Sequence, residues 1–230
     1  PKSLDGFSQE SGRAGRDGHI SESMIYYSFK DAQKLRSMIY KSSDERGRSN
    51  ANTENTKRSL DHLSKCIHFC DNEVDCRRKL LLNYFGEDFD TSLCQGTCDN
   101  CRSGNHYIEE DVTEDALKII NFMQGVQDNL TLNKLTQIFT GSKAKDVAKY
   151  SGYGSTLSTH KKNIERLLQL MIMEDVLEQR PVETAAGFSA DYVYIGVQAA
   201  HLNAIDLFTH KPKKLVMNVK SDHGKPKDSG

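Results

Sequence analysis

Apolar residues recur every three or four positions in several stretches beyond His106, and this spacing predicts amphipathic helices. Shorter stretches behind them alternate between apolar and polar residues, which predicts strands. The helices are expected at 116–123, 132–139 and 164–171, and the strands at 176–180 and 192–197. Thr131 is suited to cap the second helix and Gly141 to end it. Three helices followed by a hairpin is the order of a winged helix.

The first half of the chain has a weaker pattern. Ile25, Tyr27 and Phe29 alternate with Met24, Tyr26 and Ser28, which predicts a strand that ends near residue 30. Helices are predicted over 31–41, from about 56 to 70 and over 74–85, with a polar connector at 42–56 and a turn-rich segment at 86–105. The predicted fold class is therefore mainly α with a small β part.

The composition limits the class of protein. A chain of 230 residues suits one large domain or two to three small ones. Hydrophobic residues make up 37% and the mean hydropathy is −0.64, which predicts small cores and exposed helices. No apolar run approaches the roughly 18 residues of a membrane span, so we expect no membrane partner. The start of the chain has neither a Met nor a signal pattern, and we expect a piece of a longer protein.

The net charge of −1 hides local basic stretches. Residues 134–166 contain seven basic and two acidic residues, and residues 211–230 contain six lysines and two aspartates. A basic stripe on a neutral chain suggests an anionic partner, with nucleic acid the first candidate. A solvated helix face explains the charge alone equally well. Residues 211–230 are also rich in Pro, Ser and Gly, which predicts a basic flexible tail.

All six cysteines lie between positions 66 and 101. Such clustering favours a metal site in a reducing compartment, cytosol or nucleus, over a disulfide framework. The spacing C-x17-C-x3-C-x2-C predicts a zinc site with four thiolate ligands. Four thiolates leave no open position for water, so we expect a structural site. The predicted ligands are Cys76, Cys94, Cys98 and Cys101.

Cys66 and Cys70 allow two interpretations. They lie four positions apart on a predicted helix, so they could supply two further ligands on one face. We prefer the alternative that both are small buried apolar residues, because Cys70 shares an apolar stripe with Leu63 and Ile67 and four thiolates already satisfy zinc.

Residues 9–18 form the most distinctive motif of the chain. Arg13 and Arg16 lie three positions apart among Gly12, Gly15 and Gly18. Glycines let the backbone turn and approach a ligand closely, and arginines neutralise the charge that develops during phosphoryl transfer. The motif therefore predicts a loop that contacts the terminal phosphate of a nucleotide.

The motif resembles motif VI of RecQ-type helicases, and two further signatures resemble the same family in the same order. The match covers roughly residues 3–200 and looks closest to the Bloom-syndrome and yeast branch. The three signatures are residues 9–18 (motif VI), 76–79 with 84–87 and 98–101 (zinc-binding subdomain), and 141–143 with 154–155 and 163–167 (winged helix).

The resemblance implies an ATP-dependent 3′-to-5′ DNA helicase of recombination and repair, located in the nucleus. Arg13 and Arg16 would contact the ATP phosphates, Gln9 the nucleotide, and the four cysteines zinc. The implied domains are the end of the second RecA-like lobe (1–35), a helical zinc-binding subdomain (36–105), a winged-helix domain with a β-hairpin wing (106–210) and the tail (211–230). The sequence contains no phosphate loop and no acidic box for Mg²⁺, so we expect that this chain alone does not hydrolyse ATP.

The winged helix supplies candidate DNA contacts. Hydroxyl and ammonium groups just after a helix are suited to phosphates, and further basic residues on the third helix extend the track. These candidates are Ser142, Lys143, Lys145, Lys161, Lys162 and Arg166. Phe188, in the wing, would stack on a terminal base pair as strands separate, or else fold back onto the core. The expected partner is duplex, fork or junction DNA, and the complete helicase is expected to have protein partners that the sequence does not identify. The competing hypothesis is that the chain is a stand-alone DNA-binding or protein-interaction module.

Overall fold

The computed structural model describes residues 1–44, 54–144, 146–154, 157–183, 189–202 and 213–221. The chain divides into two compact units, the first built on residues 1–107 and the second on residues 108–219. Helices predominate in both, and the two small sheets have two strands each. The predicted fold class, mainly α with a small β part, is confirmed. None of the described helices combines the length and the apolar character needed to span a membrane.

The first unit is helical. Its core lies where buried Leu4, Cys66 and Phe69 meet partly buried side chains from the other helices. Besides a short 3-10 turn at Thr91–Cys94, its helices are α1 (Leu4–Ser11), α2 (Phe29–Asp44), α3 (Glu54–Asp71), α4 (Arg77–Tyr84) and α5 (Asp99–Ser103). The helices predicted from the apolar spacing are thus present, and two further short ones lie at 4–11 and 99–103.

Helix α1 is fixed against α3 and α4 by apolar packing and a hydrogen bond, and it is capped at its own start. Leu4 is buried, and the rings of Phe7 and Phe69 lie 5.5 Å apart. The Tyr84 hydroxyl donates a hydrogen bond of 2.7 Å to Asp5. The Ser3 hydroxyl caps the helix by accepting from the Gly6 amide. Residues 9–11, the first of the arginine motif, therefore end an anchored helix, although the sequence predicted a loop over the motif.

The strand predicted at 24–30 is wrong. Phe29 and Lys30 belong to α2, and Ser28 accepts from the Asp31 amide at its start. Residues 19–28 pair with no strand of the described chain. Ile25 and Tyr27 are nevertheless half-buried, whereas Met24 and Tyr26 are exposed. Alternation reports an extended segment with two unlike faces, but a strand also requires a hydrogen-bonded neighbour.

The second unit has the winged-helix order. Its elements are β1 (Tyr107–Asp111, with Tyr107 in the first unit), α6 (Thr113–Gly125), α7 (Leu132–Thr140), α8 (Ile164–Met173), β2 (Leu177–Glu183), β3 (Ser189–Ile195) and β4 (Val216–Lys220, with Lys220 in the first unit). Strands β2 and β3 are antiparallel, from Leu177 opposite Ile195 to Glu183 opposite Ser189. The three predicted helices and the hairpin are confirmed, and both strands are shifted by one to three residues.

The ends of α7 follow the sequence prediction. The Thr131 hydroxyl accepts from the Lys134 amide, and Gly141 ends the helix with a φ of 71°, which favours glycine. Thr131 also forms a β-bridge with Tyr192, and the Val193 amide donates to the Leu130 carbonyl at 2.8 Å. The start of α7 is therefore joined to β3.

The core of the second unit lies between its helices and the hairpin. Ala116 and Ile119 of α6 are completely buried, as are Leu135 of α7 and Leu168 of α8. Leu177 and Val193 contribute from the two paired strands. The apolar periodicity of the sequence thus identified the side chains that hold the unit together.

The tail predicted from residue 211 onward is not a tail over the described residues 213–221. Strand β4 pairs with β1, and Leu215 and Met217 are buried. The Leu215 amide donates to the Thr113 hydroxyl at 2.8 Å. The high lysine content hid a short apolar run at 215–219 that packs on its own domain.

Asp111 gives this closure a pH dependence. Its carboxylate accepts from Lys214 at 2.6 Å and from the Thr113 amide, and these contacts lower its pKa from 3.8 to about 2. The contribution is complete above pH 3.8 and is lost as the pH falls through about 2. Because the pair is exposed, we expect Asp111→Asn to cost about 1 kcal/mol at neutral pH and almost nothing near pH 1, below the pKa of the folded state. Thermal unfolding followed by circular dichroism measures this, with the exposed neighbour Glu110→Gln as control; equal losses at both pH values contradict it.

Candidate zinc centre and nucleic-acid interface

Four cysteine sulfurs come together in the first unit. Cys76 directly precedes α4, Cys94 ends the 3-10 turn, and Cys98 and Cys101 lie at the start of α5. Their Sγ atoms all lie within 4.8 Å of one another. The structure thus brings the four predicted ligands to one point, although 17 residues separate the first from the second.

The chemistry of this group fits zinc. Tetrahedral zinc with Zn–S bonds of about 2.3 Å requires sulfurs about 3.8 Å apart. The Thr97 hydroxyl, 3.6 Å from the Cys94 sulfur, lowers the pKa of that thiol to about 6. A hydrogen bond with Cys98 raises the pKa of Cys101 to about 12, so a cation is needed to ionise the four thiols together. Four sulfur ligands close the coordination sphere, which makes a bound zinc structural.

Arg77 connects the cysteine group to the apolar core. Its guanidinium forms a two-pronged ion pair with Asp99, at 3.0 and 3.1 Å, and also donates to the Phe69 carbonyl. The guanidinium lies 5.4 Å from the centre of the Phe69 ring. The hydrogen bonds from Arg77 lower the pKa of the Asp99 carboxyl, so the Arg77–Asp99 pair is charged at neutral pH. Arg77 follows one cysteine and Asp99 follows another, so the pair holds both sides of the site.

Asn100 makes a second connection across the site. Its side-chain amide donates to the carbonyls of Asn72 and Asp75, at 2.9 and 2.8 Å. The Asn72 side chain in turn accepts from the amides of Val74 and Asp75. The loop before Cys76 is therefore fixed to α5 independently of metal.

Cys66 and Cys70 are outside this group. Cys66 is 4% exposed in the apolar cluster with Leu4 and Phe69, and Cys70 packs against the same cluster. A hydrogen bond from Cys70 lowers the pKa of Cys66 to about 7 and raises that of Cys70. Both cysteines therefore pack as small apolar residues in the core of the first unit.

The arginine motif lies on the surface of the first unit. Gln9 is exposed on α1, and Arg13 and Arg16 are exposed in the turns that follow. Gly15 has a φ of 72°, and a Cβ there would lie 2.7 Å from the Ser21 hydroxyl, so the turn requires glycine. The turn leaves both guanidinium groups accessible to an anion.

In the second unit, two separate parts of the predicted DNA-contact set meet. The segment after α7 contains Ser142 and the exposed Lys143. Lys161 lies in a 3-10 turn (Lys161–Asn163) directly before α8, and its Nζ is 3.7 Å from where a Cβ on Gly141 would lie. Lys162 is exposed in the same turn and Arg166 is half-buried on α8. We call Ser142, Lys143, Lys161, Lys162 and Arg166 the basic track.

The structure removes two lysines from the basic stripe. Lys134 pairs with Asp146, and Lys149 pairs with Asp128 at 3.0 Å. Asp128 also accepts from Tyr150 at 2.7 Å; the Tyr150 and Lys149 contacts lower its pKa, and Asp128 in turn raises that of Lys149. Each of these two lysines has an acidic partner, so fewer residues supply positive charge to an anionic ligand than the sequence indicated.

Two predicted residues, Lys145 and Phe188, lie outside the described residues. Tyr153, which sequence reasoning missed, lies beside the track: its hydroxyl donates to the Gly141 carbonyl at 3.5 Å and its side chain remains 39% exposed. A Cβ on Gly141 would lie 3.0 Å from the Gly154 Cα, so the two loops touch closely. The glycines at both positions were the only sequence signal for this approach.

Comparison with known families divides the chain close to the boundary between its two compact units. The family described as RecQ zinc-binding matches residues 29–102, which include all four clustered cysteines. The RQC domain family matches residues 106–221, which include the basic track and β4.

Curated relatives match across most or all of this chain. The ATP-dependent helicase SGS1 of Saccharomyces cerevisiae is 35% identical over the whole chain, and the ATP-dependent DNA helicase hus2/rqh1 of Schizosaccharomyces pombe is 33% identical over the whole chain. The RecQ-like DNA helicase BLM of Xenopus laevis is 36% identical over 86% of it. The chain spans 15–17% of the length of these relatives. It therefore belongs to the RecQ family, in the region that carries the zinc-binding and RQC domains.

Proposed function

We propose that this chain is the DNA-binding region of an ATP-dependent 3′-to-5′ RecQ helicase that acts in recombination and repair in the nucleus. The observation that carries the proposal is the approach of Lys161 to the Gly141–Lys143 segment in a domain of winged-helix order. Its DNA substrate is a duplex, fork or junction, and the complete helicase also has protein partners.

The basic track is suited to the phosphate backbone. Lys143 is exposed next to Ser142, and the exposed Lys161 has its Nζ 3.7 Å from where a Cβ on Gly141 would lie. Contacts of this kind position a protein on a duplex without reading its sequence. The track therefore grips DNA by its charge and shape, and Lys145 and Phe188 remain hypothetical contacts.

The cysteine group supplies a rigid support. Cys76, Cys94, Cys98 and Cys101 hold zinc, which contributes a cross-link and takes no part in a reaction. Through Arg77 and Asp99 this cross-link extends to α3.

Arg13 and Arg16 act in the complete helicase, where they contact the phosphates of ATP, with Gln9 near the nucleotide. The ATP and its Mg²⁺ are bound mainly by other parts of the complete helicase. The printed sequence has no phosphate loop, so this chain alone does not hydrolyse ATP. We retain the division into a lobe end (1–35), a zinc-binding part (36–105) and a winged helix, which β4 extends to residue 220.

The alternative, a stand-alone binding or scaffold module, is not favoured. The relatives are named as helicases, and two of them match the chain over its whole length, including the arginine motif.

Salt dependence tests the proposal. The four described basic residues of the track are Lys143, Lys161, Lys162 and Arg166, so the slope of log K against log salt is expected to be about −3 to −4. Fluorescence anisotropy of a labelled duplex between about 50 and 200 mM salt measures this slope. Binding that does not change over this range contradicts the electrostatic account, and absence of binding contradicts the proposal itself.

A further inference from the structure

Asp115 is a buried carboxylate of the second unit. It lies in the first turn of α6 and is 3% exposed. Its two oxygens accept from the amides of Ser158 and Thr159, at 2.9 and 2.6 Å, and from the Thr159 hydroxyl at 2.8 Å. Lys118 lies 3.6 Å away on the same helix.

These contacts keep the carboxylate ionised. Burial by itself raises the pKa of Asp115, but the hydrogen bonds from Ser158 and Thr159 outweigh it, and the pKa is lowered. A buried charge is retained only where its partners are held in place, so α6 and residues 158–159 are fixed to each other.

The fixed segment leads directly into the basic track. His160 follows Thr159 and starts the 3-10 turn by accepting from the Lys162 amide at 3.3 Å. Lys161 of this turn approaches Gly141 at the end of α7. Asp115 acts on this turn through Thr159, which lies 44 positions after it in the sequence. The carboxylate thus determines where the chain enters the turn that carries two lysines.

We infer that Asp115 is a positioning residue that holds Lys161 and Lys162 where they contact DNA phosphates. This inference rests on the proposed DNA binding. It predicts an unusual sign: loss of a negative charge ordinarily strengthens the binding of an anion, whereas loss of this one weakens it. The sign separates positioning from simple electrostatics.

The test compares Asp115→Asn with Glu114→Gln. Both changes remove one carboxylate from the same helix, and both carboxylates lie near Lys118, but Glu114 is 80% exposed. Asp115→Asn is expected to lose about one phosphate contact, which weakens duplex binding about eightfold at 0.1 M salt and reduces the salt slope by about 1. Glu114→Gln is expected to leave binding equal or slightly tighter. Anisotropy measures both, with circular dichroism as the check on folding.

A double-mutant cycle distinguishes positioning from general loss of structure. Asp115→Asn is expected to have no further effect on binding in a Lys161→Ala/Lys162→Ala background. If Asp115→Asn lowers the folded fraction, Thr159→Val removes one of the three hydrogen bonds and is expected to weaken binding in the same direction. An additive cycle, or Asp115→Asn binding as tightly as Glu114→Gln, overturns the inference alone. Unchanged binding by Lys161→Ala/Lys162→Ala overturns the proposed role of the track as well.

Discussion

Cys98→Ser is expected to reduce bound zinc from one per chain to almost none and to unfold the zinc-binding region. Structural zinc in small domains contributes about 10–16 kcal/mol of binding free energy. A whole domain is stable by only about 5–15 kcal/mol, so the loss exceeds what the region can tolerate. Between residues 85 and 106, all of which the structure describes, Cys94 is the only buried residue, so this segment has almost no apolar core to hold it without zinc. Zinc content by atomic emission and helix content by circular dichroism measure the effect.

Cys70→Ser is the matched control. It is the same chemical change at a cysteine of the same unit, but this side chain packs in the apolar cluster. We expect one equivalent of zinc to remain and the stability to fall by about 1 kcal/mol, as for a polar group placed in a partly buried site. Zinc retained by Cys98→Ser, or lost by Cys70→Ser, would show that the ligands are assigned incorrectly.

The zinc site was accessible from the sequence because metal ligation constrains residue type and local spacing. Three of the four cysteines lie within eight residues, and such short spacings between thiolates are typical of zinc sites. The contacts that support the site were not accessible. Arg77 and Asp99 lie 22 positions apart, and only the fold shows that they pair.

Charge was the weakest guide. Lys134 and Lys149 counted toward the basic stripe, yet their partners lie 12 and 21 positions away and neutralise them. Asp115 gave no signal at all, because its partners are more than 40 positions away. Ion pairs and buried hydrogen bonds depend on tertiary structure, whereas apolar periodicity depends on local geometry and predicted α6, α7 and α8 well.

Alternation was reliable for faces and unreliable for pairing. It placed Ile25 and Tyr27 on the inner side of an extended segment, yet no described strand pairs with that segment. The opposite error occurred at β4, where lysines around a short apolar run suggested a tail. In both places the presence of a partner decides whether a segment is a strand. The partner of β4 is β1, which lies far earlier in the sequence, whereas residues 19–28 have no partner strand among the described residues.

Replacing Lys143, Lys161 and Lys162 together by alanine is expected to weaken duplex binding about 500-fold at 0.1 M salt. Each lost phosphate contact removes about 0.9 from the salt slope, so the slope becomes less steep by about 3. All three side chains are exposed, so the variant should fold as the parent does. Anisotropy across a salt series gives both quantities from one set of titrations.

The control removes the same three charges from lysines that already have acidic partners. Lys65, Lys134 and Lys149 pair with Asp61, Asp146 and Asp128. If net charge alone governs binding, both triple variants lose affinity equally. Because the paired lysines have little charge to offer a phosphate, we expect their loss to cost about tenfold or less and to leave the slope nearly unchanged. Equal losses in the two variants would remove the basic track from the account and leave only a diffuse positive field.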